Sequence, residues 1–120
     1  MRKIMVLGVM AGLLLALSSP GRVYAADSVK LTGEIVDTYC YALMGAKGEG
    51  HRTCGIACAE KGIPMALLEN GSNKLYVLLP NKDKTSLPKT VNDKMGRQAT
   101  ITGKVYSSGG SQFLTVEAIQ

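Results

Sequence analysis

The stretch "VKLTGEIVDTY", residues 29–39, decides the fold of this chain because its apolar and polar residues alternate. The two faces are Val29, Leu31, Gly33 and Ile35 on one side and Lys30, Thr32 and Glu34 on the other. A period of two residues is typical of a β-strand that buries one face. The stretch therefore predicts a strand, with Cys40 directly after its end.

Two β-hairpins are predicted further along the chain. The segments "PMALLEN" and "KLYVLLP" flank a turn formed by Asn70, Gly71, Ser72 and Asn73. The segment "QATITGKVYSSGGSQFLTVEAIQ", residues 98–120, alternates in the same way on both sides of Gly109 and Gly110. Together with the first stretch, the hairpins predict five strands.

A short helix is predicted between the hairpins, in "TSLPKTVNDKMG", residues 85–96. Thr85 or Ser86 would cap it, and an apolar stripe follows at Leu87, Val91 and Met95. A helix between strands three and four is the element order of a five-stranded OB-like antiparallel barrel. Other small antiparallel barrels fit this order almost as well. In an OB-like barrel, the Cys- and His-bearing insertion after strand one would lie where such proteins often bind ligands.

The first 25 residues have the pattern of a secretory signal peptide. Basic residues at Arg2 and Lys3 precede the apolar run "IMVLGVMAGLLLAL", and "VYA" offers a cleavage site after Ala25. The run is shorter than the roughly 20 residues that a membrane-spanning helix needs, which disfavours an uncleaved anchor. We therefore expect export to the periplasm or beyond, with residues 26–120 forming one OB-like domain that is not embedded in a membrane.

The charge of the expected mature chain argues against a nucleic-acid partner. Of the 14 basic residues, Arg2, Lys3 and Arg22 lie in the signal segment, which leaves 11 against nine acidic residues. A net charge of about +2 is far from the dense basic surface of nucleic-acid-binding proteins. A mature chain of this size also has a small core, which a metal ion or a disulfide would help to stabilise.

The only histidine and all three cysteines of the chain lie close together in sequence. His51, Cys54 and Cys58 follow a spacing of i, i+3, i+7 in "GEGHRTCGIACAEKG", which predicts a short helix ending at Gly62. These three side chains would lie within about 60° of one another on that helix. With Cys40 they form a Cys3His set, which suits tetrahedral zinc, and the thiolates would also bind Cu(I). Asp37 is a candidate for orienting His51 from outside the ligand set.

Two alternatives to a metal site involve the same cysteines. Cys54 and Cys58 could act as a thiol/disulfide redox pair, or a structural disulfide could leave one thiol unpaired, since three cysteines cannot all pair within a chain. Residues at i and i+4 on a helix have Cβ atoms about 5–6 Å apart, whereas a disulfide needs about 3.5–4.5 Å. A Cys54–Cys58 bridge would therefore be strained and easily reduced, and a bridge from Cys40 would form more easily.

The segments "TGEIVDTYCY", "GAKGEGHRTCGIACAEKGIPMALL" and "KLYVLLP" resemble a group of small exported bacterial proteins. That group shares an Asp-x-x-Cys-aromatic step, then His-x2-Cys-x3-Cys-x3-Gly-x-Pro, then a small β-barrel. The similarity covers nearly the whole expected mature chain. It implies export and a small barrel, and no activity.

We therefore expect a small, exported, non-catalytic protein that holds zinc or copper through Cys40, His51, Cys54 and Cys58. Its partners would be the metal ion and another exported protein. The alternatives are a periplasmic thiol/disulfide redox protein using Cys54 and Cys58, and a disulfide-stapled OB module that binds a ligand on its barrel face. No Ser-His-Asp set, paired catalytic carboxylates or phosphate-binding loop is present in the sequence.

Overall fold

The computed structural model describes residues 27–120, so the predicted signal peptide lies outside the described residues. The strands are β1 (Val29–Asp37), β2 (Met65–Glu69), β3 (Leu75–Pro80), β4 (Gln98–Gly103), β5 (Val105–Ser108), β6 (Ser111–Val116) and β7 (Ala118–Ile119). The helices are α1 (Thr38–Met44), α2 (Arg52–Glu60) and α3 (Lys89–Asp93), and a 3-10 turn, Glu49–His51, precedes α2. The fold is therefore mainly β, as the alternating sequence predicts.

The seven strands of residues 27–120 form one sheet in the order β5-β6-β3-β2-β1-β4-β7. The prediction of a five-stranded antiparallel barrel is wrong in three respects: this sheet has seven strands, it is not closed, and β3 pairs with β6 in parallel. The two additional strands arise because both C-terminal strands are interrupted, at Lys104 and at Glu117. The Lys104 N–H there binds the hydroxyl of Thr115, and the Glu117 N–H binds the carbonyl of Thr102.

Glycines permit the closest backbone approaches in the sheet. A Cβ on Gly33 would lie 2.1 Å from the carbonyl oxygen of Leu68, and one on Gly103 would lie 1.6 Å from that of Thr115. Neither distance is possible for a real side chain, so both positions need glycine. These are the glycines of the two Thr-Gly steps, in "LTGEIVD" and "ITGKVYS".

The core lies between the sheet, α2 and the α3 segment. Its fully buried members include Ile35, Leu67, Val91, Met95, Ile101 and Leu114. From α2, Ile56 and Ala59 pack against this cluster. The core therefore fixes α2 beside the C-terminal end of β1, where the cysteines lie.

The helix between the hairpins is shorter than the sequence indicates. It begins after Pro88, which is its N-terminal capping residue, instead of after Thr85 or Ser86. The hydroxyl of Thr85 donates to the carbonyl of Lys82 and so takes part in a turn. Proline suits a helix start and disfavours helical geometry in the residue before it, which explains the later beginning. Two residues of the predicted apolar stripe, Val91 and Met95, are buried as expected, although Met95 lies after the last residue of α3.

Candidate metal centre

The site begins where β1 turns into α1. Asp37 is the last residue of the strand and caps the helix, because its Oδ1 accepts a hydrogen bond of 2.8 Å from the backbone N–H of Cys40. Aspartate is among the preferred residues at this position, since its carboxylate satisfies an otherwise unpaired helical N–H. Cys40 therefore lies in the first turn of α1, whereas the sequence predicted it at the end of the strand.

The second oxygen of Asp37 contacts the only histidine. Its Oδ2 lies 2.7 Å from His51 Nε2, and the two side chains are 0% and 15% exposed. An ionised carboxylate only accepts hydrogen bonds, so this contact places a proton on Nε2. The contact predicted between Asp37 and His51 is present, and it is the kind of carboxylate contact that usually orients a metal-binding histidine.

The charge of Asp37 is maintained despite its burial. Burial alone would raise the pKa of this carboxyl, but hydrogen bonds from the Cys40 N–H and from His51 outweigh it, and the pKa lies below its ordinary value. A buried carboxylate without partners would instead take up a proton. The two contacts therefore keep a negative charge beside the thiols.

Contacts with the segment before β4 fix the position of His51. In the 3-10 turn, the Glu49 carboxylate accepts two hydrogen bonds of 2.9 Å from the guanidinium of Arg97. The N–H of Gly48, directly before the turn, donates to the carboxylate of Glu34 on β1. The turn that carries His51 is thus connected to both β1 and the start of β4.

The N-terminal end of α2 is held by a separate set of contacts. The Arg52 guanidinium donates to the carbonyl oxygens of Asp93 and Met95, at 2.9 and 2.7 Å. Gly55 is buried, and a Cβ there would lie 2.8 Å from the sulfur of Met95 and 3.5 Å from Asp37 Oδ2. The helix can therefore pack this closely against Met95 because Gly55 has no side chain.

All three cysteines lie within the described residues, and each is a free thiol. Cys40 is 4% exposed, Cys58 is half-buried and Cys54 is exposed. The Sγ atoms of Cys40 and Cys58 are 4.0 Å apart. The disulfide-stapled alternative thus has no counterpart among residues 27–120.

The donor atoms form two overlapping groups that share Cys40. Donors of Cys40, His51 and Cys54 lie within 4.8 Å of one another, and so do those of Asp37, Cys40 and Cys58. The Cys/His/Asp group therefore lies within the distances that a bound metal ion requires.

Burial and neighbouring negative charge favour the protonated form of the inner thiols. Burial, the hydrogen bond with Cys58 and the carboxylate of Asp37 raise the pKa of Cys40 to about 12. Burial also raises the pKa of Cys58. An ion that binds these sulfurs must therefore displace protons, which makes metal affinity depend on pH.

A groove of about 370 Å³ opens beside the outer cysteines. Its lining residues are Tyr39, Cys54, Ala57, Cys58, Lys61 and Ile63. Two of the three cysteines therefore line this groove, and Cys40 is not among its lining residues.

No protein-family model, curated protein or solved structure matches the chain. The metal-site hypothesis therefore depends on the geometry of these residues and on donor chemistry.

Of the predicted site residues, Asp37, Cys40, His51, Cys54 and Cys58 are brought together at one end of β1. One detail of the sequence analysis is wrong: His51 lies in the 3-10 turn before α2, so only Cys54 and Cys58 share that helix.

Sequence reasoning missed the residues that position the site. Glu34, Glu49 and Arg97 carry no local signal, because each contacts a residue distant in sequence. Gly55 could have been noticed, because glycine inside a predicted helix destabilises that helix. Its presence there indicates a position where close packing leaves no room for a side chain.

None of the helices formed by residues 27–120 is long and apolar enough to span a bilayer.

Proposed function

We propose that this protein binds a thiophilic metal ion, zinc or Cu(I), through Cys40, His51, Cys54 and Cys58, without catalysis of its own. The observation that best supports this proposal is the distance of 4.0 Å between the sulfurs of Cys40 and Cys58. Two thiolates on one zinc, each about 2.3 Å from the ion in tetrahedral geometry, lie about 3.8 Å apart. A disulfide would need about 2.05 Å.

The histidine geometry supports the same proposal. Metal-binding histidines usually donate their other ring N–H to a carboxylate, which fixes the tautomer and the ring orientation. Asp37 Oδ2 accepts from Nε2, and a ring nitrogen of His51 lies within 4.8 Å of the sulfurs of Cys40 and Cys54. We assign His51 as the fourth donor. We assign Asp37 to this orienting role, since both of its oxygens already accept hydrogen bonds.

Four protein donors leave no coordination position for a substrate, so a zinc ion held in this way would be structural. Cu(I) binds with fewer ligands, and a copper ion here would suit storage or transfer to a partner. We also propose that the protein is exported. We further propose that it belongs to the group of small exported bacterial proteins that its sequence resembles.

Native mass spectrometry of the protein purified from its producing cells tests the proposal, combined with metal analysis and thiol counting. We expect one zinc or copper per chain, and three free thiols after the metal is removed. Cys40→Ser and His51→Ala should each weaken binding at least about tenfold, since each removes a ligand.

Met44→Ala is the matched control, because Met44 offers a soft sulfur that is 67% exposed and outside the donor groups. It should bind metal as the wild-type protein does. A metal-free protein with a single free thiol would contradict the proposal, as would equal binding by the His51→Ala, Cys40→Ser and wild-type proteins.

A further inference from the structure

The three thiols differ in how easily they can form a disulfide with one another. Cys40 lies on α1 and Cys58 on α2, and their sulfurs are 4.0 Å apart. Cys54 and Cys58 are one turn apart on α2, where regular helical geometry holds their Cβ atoms about 5–6 Å apart. Bridging Cys54 and Cys58 would need distortion of a helix. The sulfur of Cys40 also lies within 4.8 Å of that of Cys54, but Cys58 is the residue whose sulfur it contacts directly.

We propose that, in the metal-free protein, Cys40 and Cys58 form a dithiol that reduces one disulfide per chain by stoichiometric exchange, with Cys58 as the attacking thiol and Cys40 as the resolving thiol. Cys54 is not part of the disulfide that results. The sequence analysis named Cys54 and Cys58 as the redox pair, so this assignment changes one of its two members.

The order of reaction follows from burial. Cys58 lines the groove beside α2, so a disulfide can approach its sulfur from solvent. Cys40 is 4% exposed and is not among the residues that line the groove, so within this pair it reacts second. The groove, about 370 Å³, has room for a small disulfide or for a short segment of a protein chain around one.

The chemistry balances as an ordinary thiol–disulfide exchange. Cys58 loses its proton to solvent as its sulfur attacks one sulfur of the substrate, whose S–S bond breaks as a mixed disulfide forms and the first substrate thiolate leaves. Cys40 then loses its proton as its sulfur attacks the Cys58 sulfur, and the second substrate thiolate leaves. Two electrons pass from the two cysteines to the substrate, and the two thiol protons pass through solvent to its sulfurs.

Oxidation of this pair would remove two of the four proposed ligands. His51 and Cys54 alone would remain, too few for stable binding of zinc. This consequence depends on the proposed metal site, whereas the pairing of Cys40 with Cys58 does not. A bound ion would in turn protect both thiols, since each sulfur would be coordinated.

The test begins with metal-free, reduced protein treated with oxidised glutathione at pH 8. After the remaining thiols are alkylated, tryptic peptides are sequenced by mass spectrometry. Trypsin leaves Cys54 and Cys58 together in residues 53–61, so fragmentation must locate the alkylated cysteine. We expect a link between Cys40 and Cys58. Cys54 should be either alkylated, which corresponds to one remaining thiol of three, or joined to glutathione, which leaves none.

Matched variants separate the three possible bridges. Cys54→Ser should still form the internal link, while Cys40→Ser and Cys58→Ser should give only mixed disulfides with glutathione. A Cys54–Cys58 or Cys40–Cys54 link in the wild-type protein would overturn the proposal, as would glutathione retained on Cys58 with no internal link.

Zinc binding is then measured on the reduced and the oxidised protein. We expect one zinc per chain to fall to none on oxidation, and to return on reduction. If the reduced protein binds no metal, the proposed function fails while the peptide map still decides the pairing. If the oxidised protein with a Cys40–Cys58 link binds zinc as well as the reduced one, the predicted effect on the metal site is wrong.

Discussion

Asp37 uses its two carboxylate oxygens for two different purposes, helix capping and orientation of His51. Asp37→Asn keeps a side-chain oxygen that can cap α1, since asparagine is also a preferred capping residue. It removes the charge that fixes the histidine tautomer. We expect metal affinity to fall about 10- to 100-fold, as for other partners of metal-binding histidines, measured by competition with a chromogenic chelator.

Asp83→Asn is the control for Asp37→Asn, because Asp83 is exposed in the turn after β3. It should leave metal affinity unchanged. Equal affinity of the Asp37→Asn and wild-type proteins would show that the Asp37–His51 contact does not serve the metal site.

The Cys40 thiol gives the metal-free protein a dependence on alkaline pH. Its pKa is raised from an ordinary value of 9.0 to about 12, chiefly by burial, so the folded state disfavours the thiolate. The stability that this group contributes is complete below pH 9 and is lost as the pH rises toward 12. We expect the urea midpoint of the reduced, metal-free protein to fall between pH 8 and pH 10.5.

Cys40→Ala should reduce the size of that alkaline decline, because it removes one of the groups responsible. Part of the decline should remain, since burial also raises the pKa of Cys58 and of Tyr76. An unchanged decline in Cys40→Ala would mean that the thiol ionises as easily in the folded chain as in the unfolded one.

The position of α2 against β1 depends on Gly55. Gly55→Val would place methyl groups against the sulfur of Met95, which is 1% exposed and has little room to move. The helix would have to move away from Asp37, which separates Cys54 and Cys58 from Cys40. We expect weaker metal binding and a stability loss of about 1–3 kcal/mol, measured by metal competition and urea unfolding.

Gly50→Ala is the control for this substitution, because nothing lies within 4 Å of a Cβ at that position in the 3-10 turn. Gly50→Ala should change neither the metal affinity nor the stability to urea appreciably. If Gly55→Val binds metal as tightly as Gly50→Ala, the close approach of α2 is not required for the site.

The elements show what could be predicted from the sequence and what could not. The alternation in residues 29–37 predicted β1, and the hairpin turn at residues 70–73 was predicted from its turn residues. The sequence around Cys40 was ambiguous, because "TYCYALM" continues an apolar stretch and only Asp37 indicates a helix start. The interruptions at Lys104 and Glu117 were missed, since they depend on hydrogen bonds to the neighbouring strand.

A bound ion should stabilise the entire fold, because its ligands come from α1, the 3-10 turn and α2. A ligand present at about 100 times its Kd adds about 2.7 kcal/mol to the free energy of unfolding. For a domain of this size, 1 kcal/mol raises the Tm by about 4–8 °C. We expect zinc to raise the Tm by at least about 10 °C, measured by scanning calorimetry under reducing conditions.

A chelator should reverse that rise, and Cys40→Ser should show at most about half of it, since a tenfold higher Kd lowers the added free energy of unfolding from about 2.7 to about 1.4 kcal/mol. Since cysteines of the unfolded chain also bind zinc, the rise is expected to fall below the calculated value at high zinc concentration. A Tm that does not respond to zinc or copper would contradict metal binding by the folded protein.

The donor set could be predicted from sequence because its members lie within residues 37–58. Their arrangement could not, since it depends on distant contacts such as the packing of Gly55 against Met95 and the pair formed by Glu49 and Arg97. A local pattern shows which residue types are available. It does not show which distant side chain holds a turn in place.

The contact between Glu49 and Arg97 has a consequence for the order of events during synthesis of the chain. Arg97 follows Glu49 by 48 residues, so the ribosome releases every proposed ligand well before the residue that holds their turn in place. During that interval the thiols and the imidazole belong to an unfolded segment, without the alignment that Arg97 and Met95 provide. We expect the nascent chain to be most vulnerable to incorrect disulfides and misplaced ions in this period, which ends when residues 95–97 join the sheet.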